Sequence, residues 1–504
     1  MKSIAGVGGL SVAIDGEALS PDEAACLGAL RVRHALSVPA QCELVFHGVA
    51  EELGDRATGL LGDALTVRGE DGAVFEGEIT AVEHEYSPDG GRQLRLRGYD
   101  KLHRLRKRQS VEFRENTDAG ELCRQFAGDL GLDADVSEAG PRWPRLAQWQ
   151  QTDFDLLAGI ATRAGLYFAV CQGKLRLFTL AGMGSAVSLT LGEELLEASV
   201  EANGDGAWSE VEATGWDPGS GERFEGSVDT ARSGRSIDAP ASTSDIGGAA
   251  RRTLVNAQVP DAAHVSASAQ GELDRANASA LTVRGVAAGR ADLWPGSKVK
   301  LEGIHSALAG TYVVTEVVHS LDAERGFISE FTSEVPGAAQ ALPPTVVAPG
   351  IVDRVDDPDK QGRVTVKLPG YRSIETGWMR VMLPAAGKDK GFVALPDEGD
   401  EVLVLLPNGD PAVGIVLGGM YGKESVPDTG IVDRRVKRQC WRSPKGHFLE
   451  IDDEKDRITL INANGSTVRI AKDKFTIKSA TDLDIAAPGK KIKITASAVD
   501  FEHG

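Results

Sequence analysis

The sequence predicts a mainly β chain: two β-barrels with a small helical insert between them, a third small barrel of the OB type, and a C-terminal trimeric β-helix in the form of a prism. Three observations carry this. Alternating apolar and polar runs, cut by Asp-Gly and Ser-Pro-Asp-Gly turns, recur through most of the 504 residues. Helical periodicity is concentrated in two short windows. An apolar, polar, apolar triplet recurs seven times between residues 449 and 501.

From the N-terminus, Leu10 to Ile14 meets Asp15-Gly16, a dipeptide that accepts positive φ, and continues as Glu17-Ala18-Leu19. That is a hairpin signal. Leu65–Val67 runs to Asp71-Gly72 and then Ala73–Tyr86, and Ser87-Pro88-Asp89-Gly90-Gly91 turns the chain into Leu94–Leu96. Residues 1–100 are read as the first barrel.

Residues 101–187 are read as a helical and hairpin insert. Ala119, Leu122, Cys123, Phe126 and Leu130 fall on one helical face, with Gly131 as a left-handed stop. Thr152 and Asp155 form an approximate capping box ahead of Phe154, Leu157, Ala158 and Ala161, with Gly165 as terminator. Leu166–Cys171, Gln172-Gly173 and Lys174–Phe178 make a hairpin. Strand and turn grammar then resumes over 188–340, the second barrel, with a Ser/Gly-rich stretch at 240–248.

Pro343-Pro344 and Pro349 mark 341–349 as a stiff linker. Residues 350–422 hold short runs at Ile351–Val355, Arg363–Leu368, Trp378–Leu383, Gly391–Leu395, Glu401–Leu406 and Ala412–Leu417, as in an OB barrel. A connector, 423–447, leads to the last segment, 448–504.

That segment carries the triplets. The apolar pairs are Leu449 and Ile451, Ile458 and Leu460, Val468 and Ile470, Phe475 and Ile477, Leu483 and Ile485, Ile492 and Ile494, and Val499 and Phe501, each flanking one polar residue. Their starts lie about 8.3 residues apart, too short for a helical repeat and suited to stacked strands with turns. A narrow ribbon with one open apolar face is unstable by itself. Three chains around a common axis would bury all fourteen side chains as a trimer core and leave the intervening Glu, Arg, Asp and Lys in water. A monomeric meander packed on the barrels is the alternative.

Composition removes other classes. The formal charge of −19 opposes general nucleic-acid coating, which needs excess Lys and Arg. Five cysteines, Cys26, Cys42, Cys123, Cys171 and Cys440, are odd in number and never form a CxxC pair, so they read as buried, reduced thiols. No apolar run reaches the ~18–20 residues of a membrane helix, and the start reads as a strand, not a signal peptide.

Ordered blocks now carry a resemblance. Gly350–Val364, Gly377–Val381 with Pro384 and Gly387, Gly399–Val404, Gly409-Asp410-Pro411 and Leu417–Tyr421 resemble the OB core of VgrG-type spike proteins of contractile injection systems. Gly98–Arg106, Gln151–Leu157, Gly165–Phe168 and Val211–Pro218 resemble the hub of the same proteins, shared with phage late-control proteins. The resemblance implies a homotrimeric baseplate spike. In it a two-barrel hub adapts to a six-fold inner tube or tube-initiator protein, and a β-helical needle carries a PAAR-type tip protein at the Asp500–Gly504 end. Other baseplate proteins and effector cargo are the further partners implied, with no specific nucleic acid. Assembly in the bacterial cytoplasm and delivery in a particle are implied, without a signal peptide. Some relatives insert a lysozyme-like domain between barrel and needle. Here only 27 residues separate Tyr421 from Leu449, so no enzyme is expected. A phage tail spike with cell-wall-degrading activity and a type VI secretion spike are the alternatives.

Chemical motifs point the same way. Asp357-Pro-Asp359-Lys-Gln-Gly362 imitates a calcium loop, but position twelve is Leu368, so a β-turn is expected. The nine histidines include no HExxH, and there is no GxSxG elbow. Gly6-Val-Gly8-Gly9 lacks the strand and helix of a phosphate loop. One His503 per chain offers a trimer three ligands, too few for a closed octahedral site, so no metal or cofactor is assigned. Lys101–Arg108 and Arg434–Arg438 are basic clusters, read first as charged, exposed strand edges. Residues 350–422 hold 8 Lys/Arg against 11 Asp/Glu, which opposes single-strand binding by the OB barrel. Residues 434–504 hold 15 against 10 and form the positive part of the chain.

Overall fold

A computed structural model describes residues 9–48, 51–88, 91–217, 222–237, 250–256, 259–337, 344–422 and 426–502. The chain forms two compact units, Met1–Gly419 and Met420–Gly504. The readings made on Gly6 to Gly8, on the Ser/Gly-rich stretch 240–248, on Asp89-Gly90, on Pro218, on 341–343 and on His503-Gly504 lie outside the described residues.

The two expected N-terminal barrels are in fact two halves of one sheet. Eleven strands run in the order Leu195–Ala202, Leu281–Ala288, Gly326–Thr332, Glu316–Asp322, Leu27–Ala35, Gln41–His47, Gly91–Asp100, Gly72–Ser87, Ala64–Gly69, Ser11–Ile14 and Glu17–Ala18. The halves join where Leu27–Ala35 pairs antiparallel with Glu316–Asp322. Arg33 donates to both carboxylate oxygens of Glu316 across this seam, at 2.8 and 2.7 Å. Each half keeps its own core, one around Phe46, Phe75 and Leu94, the other around Leu195, Tyr312 and Phe331. The hairpin at Asp15-Gly16 is present, with φ of 51° and 82° at those residues. Of the five thiols expected to be buried, Cys42, Cys123 and Cys171 are, whereas Cys26 is half-buried and Cys440, on the first strand of the C-terminal meander, is exposed.

Both sequence-read helices are present, at Ala119–Asp129 and Asp153–Arg163. Thr152 and Asp155 form the capping box, and Asp118 caps the other helix by accepting from Glu121 N at 2.8 Å. The hairpin Tyr167–Cys171/Lys174–Phe178 packs Phe168, Leu175 and Leu177 against Leu122, Phe126 and Leu157.

One helix escaped the sequence reading. Ala262–Ser279 falls within the span read as strand and turn, yet it is the longest described helix. Its buried face is made of small residues, Ala269, Gly271 and Ala276, with Val265 and Leu273. Small residues let backbones meet: a methyl on Gly271 would stand 2.6 Å from Gly165 Cα. Beside that crossing the buried Asp274 accepts from Arg232 N at 2.6 Å and Arg232 Nε at 2.8 Å.

The six-stranded OB sheet has its core at Val352, Val364, Val366, Val402, Val404 and Val416. Reciprocal bonds between Val364 and Met379, 3.0 and 2.8 Å, close it. Two expectations change here. The stretch read as a linker, 341–349, enters the strand Val346–Arg354, with Pro349 opposite Leu403. That part of the strand has one neighbour, because pairing with Thr365–Leu368 begins at Ile351, so a residue without an N–H is tolerated. Gly391–Leu395 is not a strand. Positive φ at Ala385 (56°), Asp389 (56°) and Gly391 (139°) bends this stretch away from extended pairing.

The imidazoles of His319, buried, and His34, half-buried, give the seam a pH response. His34 and His319 stack edge to face at 5.8 Å. Burial lowers them to about 4 and about 3. Below pH 6.5 the unfolded chain takes up protons that the folded sites refuse. Stability should therefore fall between pH 6.5 and 4, by about 1.4 kcal/mol per pH unit for each imidazole. Urea midpoints measured across that range check this, and His319→Leu should flatten the slope.

Gly271→Ala should lower stability by about 1–3 kcal/mol in urea unfolding despite the better helix propensity of alanine, because the added methyl meets the backbone of Gly165.

Candidate functional site: the apolar ladder

The second unit is built on an antiparallel meander of Arg438–Arg442, Phe448–Asp452, Arg457–Ile461, Thr467–Ala471 and Phe475–Lys478. Its register stacks the triplets into two columns on one face. Leu449, Leu460, Val468 and Ile477 pair in sequence, as do Ile451, Ile458, Ile470 and Phe475. Alternation along each strand dictates this, since the two apolar members of a triplet point the same way. Trp441, opposite Leu449, extends the first column, and the triplet search missed it because its companion is Gln439.

The columns lie open. Of the fourteen ladder residues expected in a buried core, only Val468 is half-buried, and the others are exposed, from 37% at Leu449 to 92% at Phe501. The reason is that a single chain lays no second layer over this face, and natural proteins seldom leave so long an apolar stripe uncovered.

The departure is largest in the last three triplets. Ile485 and Ile494, read as core residues, are each 71% exposed, and Leu483, Ile492, Val499 and Phe501 are exposed with them. None of these six residues lies in a strand, against the expected run of seven rungs. Beyond Lys478 the chain has no backbone ladder to fix which face each side chain takes, so Ile485 and Ile494 do not extend the two columns. The edge strand Phe475–Lys478 receives no further partner from this chain among the described residues.

Of the intervening charged residues, Arg469, Asp484, Lys493 and Asp500 are exposed and Glu450 is half-buried. On the reverse face Thr459 is 3% exposed, and Asp452, just past the first triplet, 1%. Glu450 and Asp452 share Arg457 Nη2, at 2.9 and 3.4 Å. Asp452 also accepts from Glu454 N and Lys455 N, fixing the turn into the next strand.

The basic cluster Arg434–Arg438 is not a bare edge. It forms a hairpin, Ile431–Val432/Arg435–Val436, held at its base where Arg438 donates to both oxygens of Asp428 at 2.8 and 2.9 Å. That guanidinium holds the Asp428 carboxyl down to about 2. In the first unit, Lys101–Lys107 is a 3-10 helix, not a strand edge. Arg104 pairs with Glu78, Arg108 pairs with Asp129 and Asp153, and Arg106 lies over Phe154. Asp357 accepts from Asp359 N, Gln361 N and Arg363 N, and from the Arg363 guanidinium at 2.7 Å. The calcium-like run is thus a turn with its carboxylate already engaged. No cluster of three His, Cys, Asp or Glu able to hold a metal occurs among the described residues. No described helix is long and apolar enough to cross a membrane.

Known proteins share these parts. Residues 66–323 match the Alg8 N-terminal domain, and residues 348–421 match the type VI secretion system/phage-baseplate injector OB domain. The type VI secretion system spike protein VgrG2a of Pseudomonas aeruginosa is 32% identical over 110 residues, which span 20% of this chain and 13% of that protein. Two solved structures share the fold at low identity. The E. coli c3393 protein, a component of the type VI secretion system with structural similarity to the T4 bacteriophage tail proteins gp27 and gp5, is 15% identical. Its TM-score is 0.50, over 81% of this chain and 99% of that one. The Francisella PdpA-VgrG complex superposes with a TM-score of 0.53 at 9% identity, over 93% of this chain and 88% of its own. The Alg8 match alone covers just over half of the sequence, so the chain belongs to the Alg8 N-terminal domain family and, carrying the injector OB domain, is a VgrG-type spike protein of contractile injection systems.

Proposed function

We propose that this chain is the central spike and hub of an injection baseplate, that it works as a homotrimer, and that its task is mechanical. The observation that carries the reading is the open double column on the C-terminal meander. Two rows of large apolar side chains on a ribbon that pairs only with itself are covered most simply by two further copies related by a three-fold axis. Wrapping would also supply backbone partners to residues 480–502, which carry three triplets and no strand in a single chain, and would bring Ile485 and Ile494 under cover. The N-terminal eleven-stranded sheet, with its two half-barrels per chain, gives a trimer six similar units to set against a six-fold inner tube. A PAAR-type tip protein at the Asp500–Glu502 end, baseplate proteins at the hub and effector cargo complete the assembly, which forms in the cytoplasm and is delivered to a target envelope. No catalytic step is assigned to the chain, and a phage tail spike that degrades cell wall is the second reading.

Light scattering of the purified chain should give three times 53.2 kDa, about 160 kDa. Ile458→Asp combined with Ile470→Asp should shift the mass to that of a single chain while the N-terminal unit stays folded by circular dichroism. A monomeric wild type would sink the reading.

The same preparation should leave peptidoglycan intact in a turbidity assay. Clearing that disappears on one carboxylate substitution would favour the degrading spike.

A further inference from the structure

A mechanical task leaves the basic hairpin of the second unit unused. Its frame is fixed at the base. Gly430 O accepts from Lys437 N at 2.8 Å and from Arg438 N at 3.1 Å. Gly430, at φ 65°, lies so near the returning strand that a methyl there would stand 2.1 Å from Arg438 O. The paired Arg438 and Asp428 clamp the same point. Beyond this base the side chains are uncommitted. Arg434 and Arg435 are exposed and Lys437 is half-buried, and none of these three side chains enters a hydrogen bond or ion pair among the described residues. Ile431 and Val436, directly opposite each other, are 54% and 64% exposed. The turn is also strained. Asp433 and Arg434 stand at φ 47° and 64°, the left-handed region that glycine and asparagine fill most easily in a two-residue hairpin. A long cationic side chain is thus held at the tip against a conformational cost that glycine would remove.

Charge and its distribution select the occupant. Asp428 and Arg438 neutralise each other, which leaves Arg434, Arg435 and Lys437 against the single acid of the tip, Asp433. The surplus calls for an anion, and a guanidinium holds a carboxylate or a phosphate through two parallel bonds. An anionic membrane is a poor match. Three cations fall short of the ~4–8 Lys and Arg that such a surface gathers. The exposed acidic turn of Asp453, Glu454 and Asp456 is also tied to the hairpin, Asp453 N donating to Lys437 O at 2.8 Å, so a plane of headgroups would meet carboxylates together with cations. Nucleic acid, charged at every residue, meets the same repulsion in a chain of net charge −19. A short peptide can set its acids on the guanidiniums alone and lay an apolar side chain over Ile431 and Val436. We propose that this hairpin is a docking site for an acidic peptide segment of a partner protein. Its carboxylates accept from Arg434 and Arg435, and an apolar residue between them covers the Ile431 and Val436 pair. The proposal goes beyond the spike reading and does not need the trimer.

The test titrates the full chain with acetyl-Asp-Leu-Glu-Leu-Asp-amide at low salt, following heat. Saturable binding of one peptide per chain is expected, weakened about tenfold by Arg434→Gly and again by adding Arg435→Ser. Arg434→Gly removes the charge and gives the turn the residue its backbone favours, so misfolding does not account for a loss there. Ile431→Ser with Val436→Ser should also weaken binding, and acetyl-Lys-Leu-Lys-Leu-Lys-amide should not bind. Circular dichroism and thermal midpoints confirm that the variants fold. Absence of saturation up to about 10 mM, or equal binding by Arg434→Gly with Arg435→Ser, would overturn the proposal. So would tighter binding of oligo-dT or of phosphatidylglycerol vesicles, lost in the same double variant, which would make this a nucleic-acid or membrane site. A change in oligomeric mass in that variant would assign the hairpin to a neighbouring copy and overturn it too.

Discussion

An antiparallel ribbon can satisfy its backbone without helping its side chains. In the C-terminal meander every internal strand has hydrogen-bonded neighbours on both sides, so the ladder of N–H and C=O groups is complete from Phe448 to Ala471. The same register lines up Leu449, Leu460, Val468 and Ile477 in one row and Ile451, Ile458, Ile470 and Phe475 in another, with no second layer of this unit on top. Backbone pairing sets the strand order and is complete within one chain, whereas the apolar area is left uncovered by it; in the trimer proposed above the two demands would be met at different levels of assembly.

The N-terminal unit solves the covering problem inside one chain. Its eleven strands curl into two halves with separate cores, and the seam is closed by Arg33 and Glu316, residues 283 positions apart. A pairing of that sequence separation brings together strands from opposite ends of the N-terminal region, so the intervening insert must fold compactly beneath it. The capped helices Ala119–Asp129 and Asp153–Arg163 and the hairpin after them do this, with a core of their own.

What the sequence disclosed follows from how local each signal is. Asp15-Gly16, the Thr152–Asp155 capping box and Gln172-Gly173 declare turns and caps through their own backbone preferences, and each is found where expected. Seven triplets declared a one-sided ribbon because alternation needs no knowledge of the partner strand, and four of them are strands. The rungs at Ile485 and Ile494 read the same as those at Ile451 and Ile470, but a strand also needs a paired neighbour, which the triplet itself does not encode. Ala262–Ser279 stayed hidden because its buried face is alanine and glycine, which carry little apolar contrast; its reason for being small is Gly165, nearly a hundred residues upstream. Pro349 misled in the opposite sense. A proline marks a break only where both sides of a strand are paired, and Val346–Gly350 is paired on one side. The single eleven-stranded sheet was illegible for a related reason: the seam residues, 27–35 and 316–322, look alike whether they end two barrels or join one.

The mechanical role proposed above would require stiff joints as well as stiff parts. Between the helical layer and the OB barrel, the Arg145 guanidinium donates to the Glu375 carbonyl and the Trp149 indole lies beside Gly409. Arg145 is itself braced, its guanidinium 3.8 Å from the centre of the Phe113 ring and 3.5 Å from Glu115, so its position is set before it reaches the barrel. A bridge of this kind resists shear through geometry more than through energy, because one charge-assisted bond is worth only about 1.5–3 kcal/mol. A cavity of about 440 Å³ beside it means that the two layers do not fill the joint by themselves. An occupant of that space would add packed atoms to the joint, and a rigid interior depends on close packing. On the reading proposed above, stiffness at this level would be a property of the assembly, in the way that the ladder would become a shaft only once its apolar columns were covered.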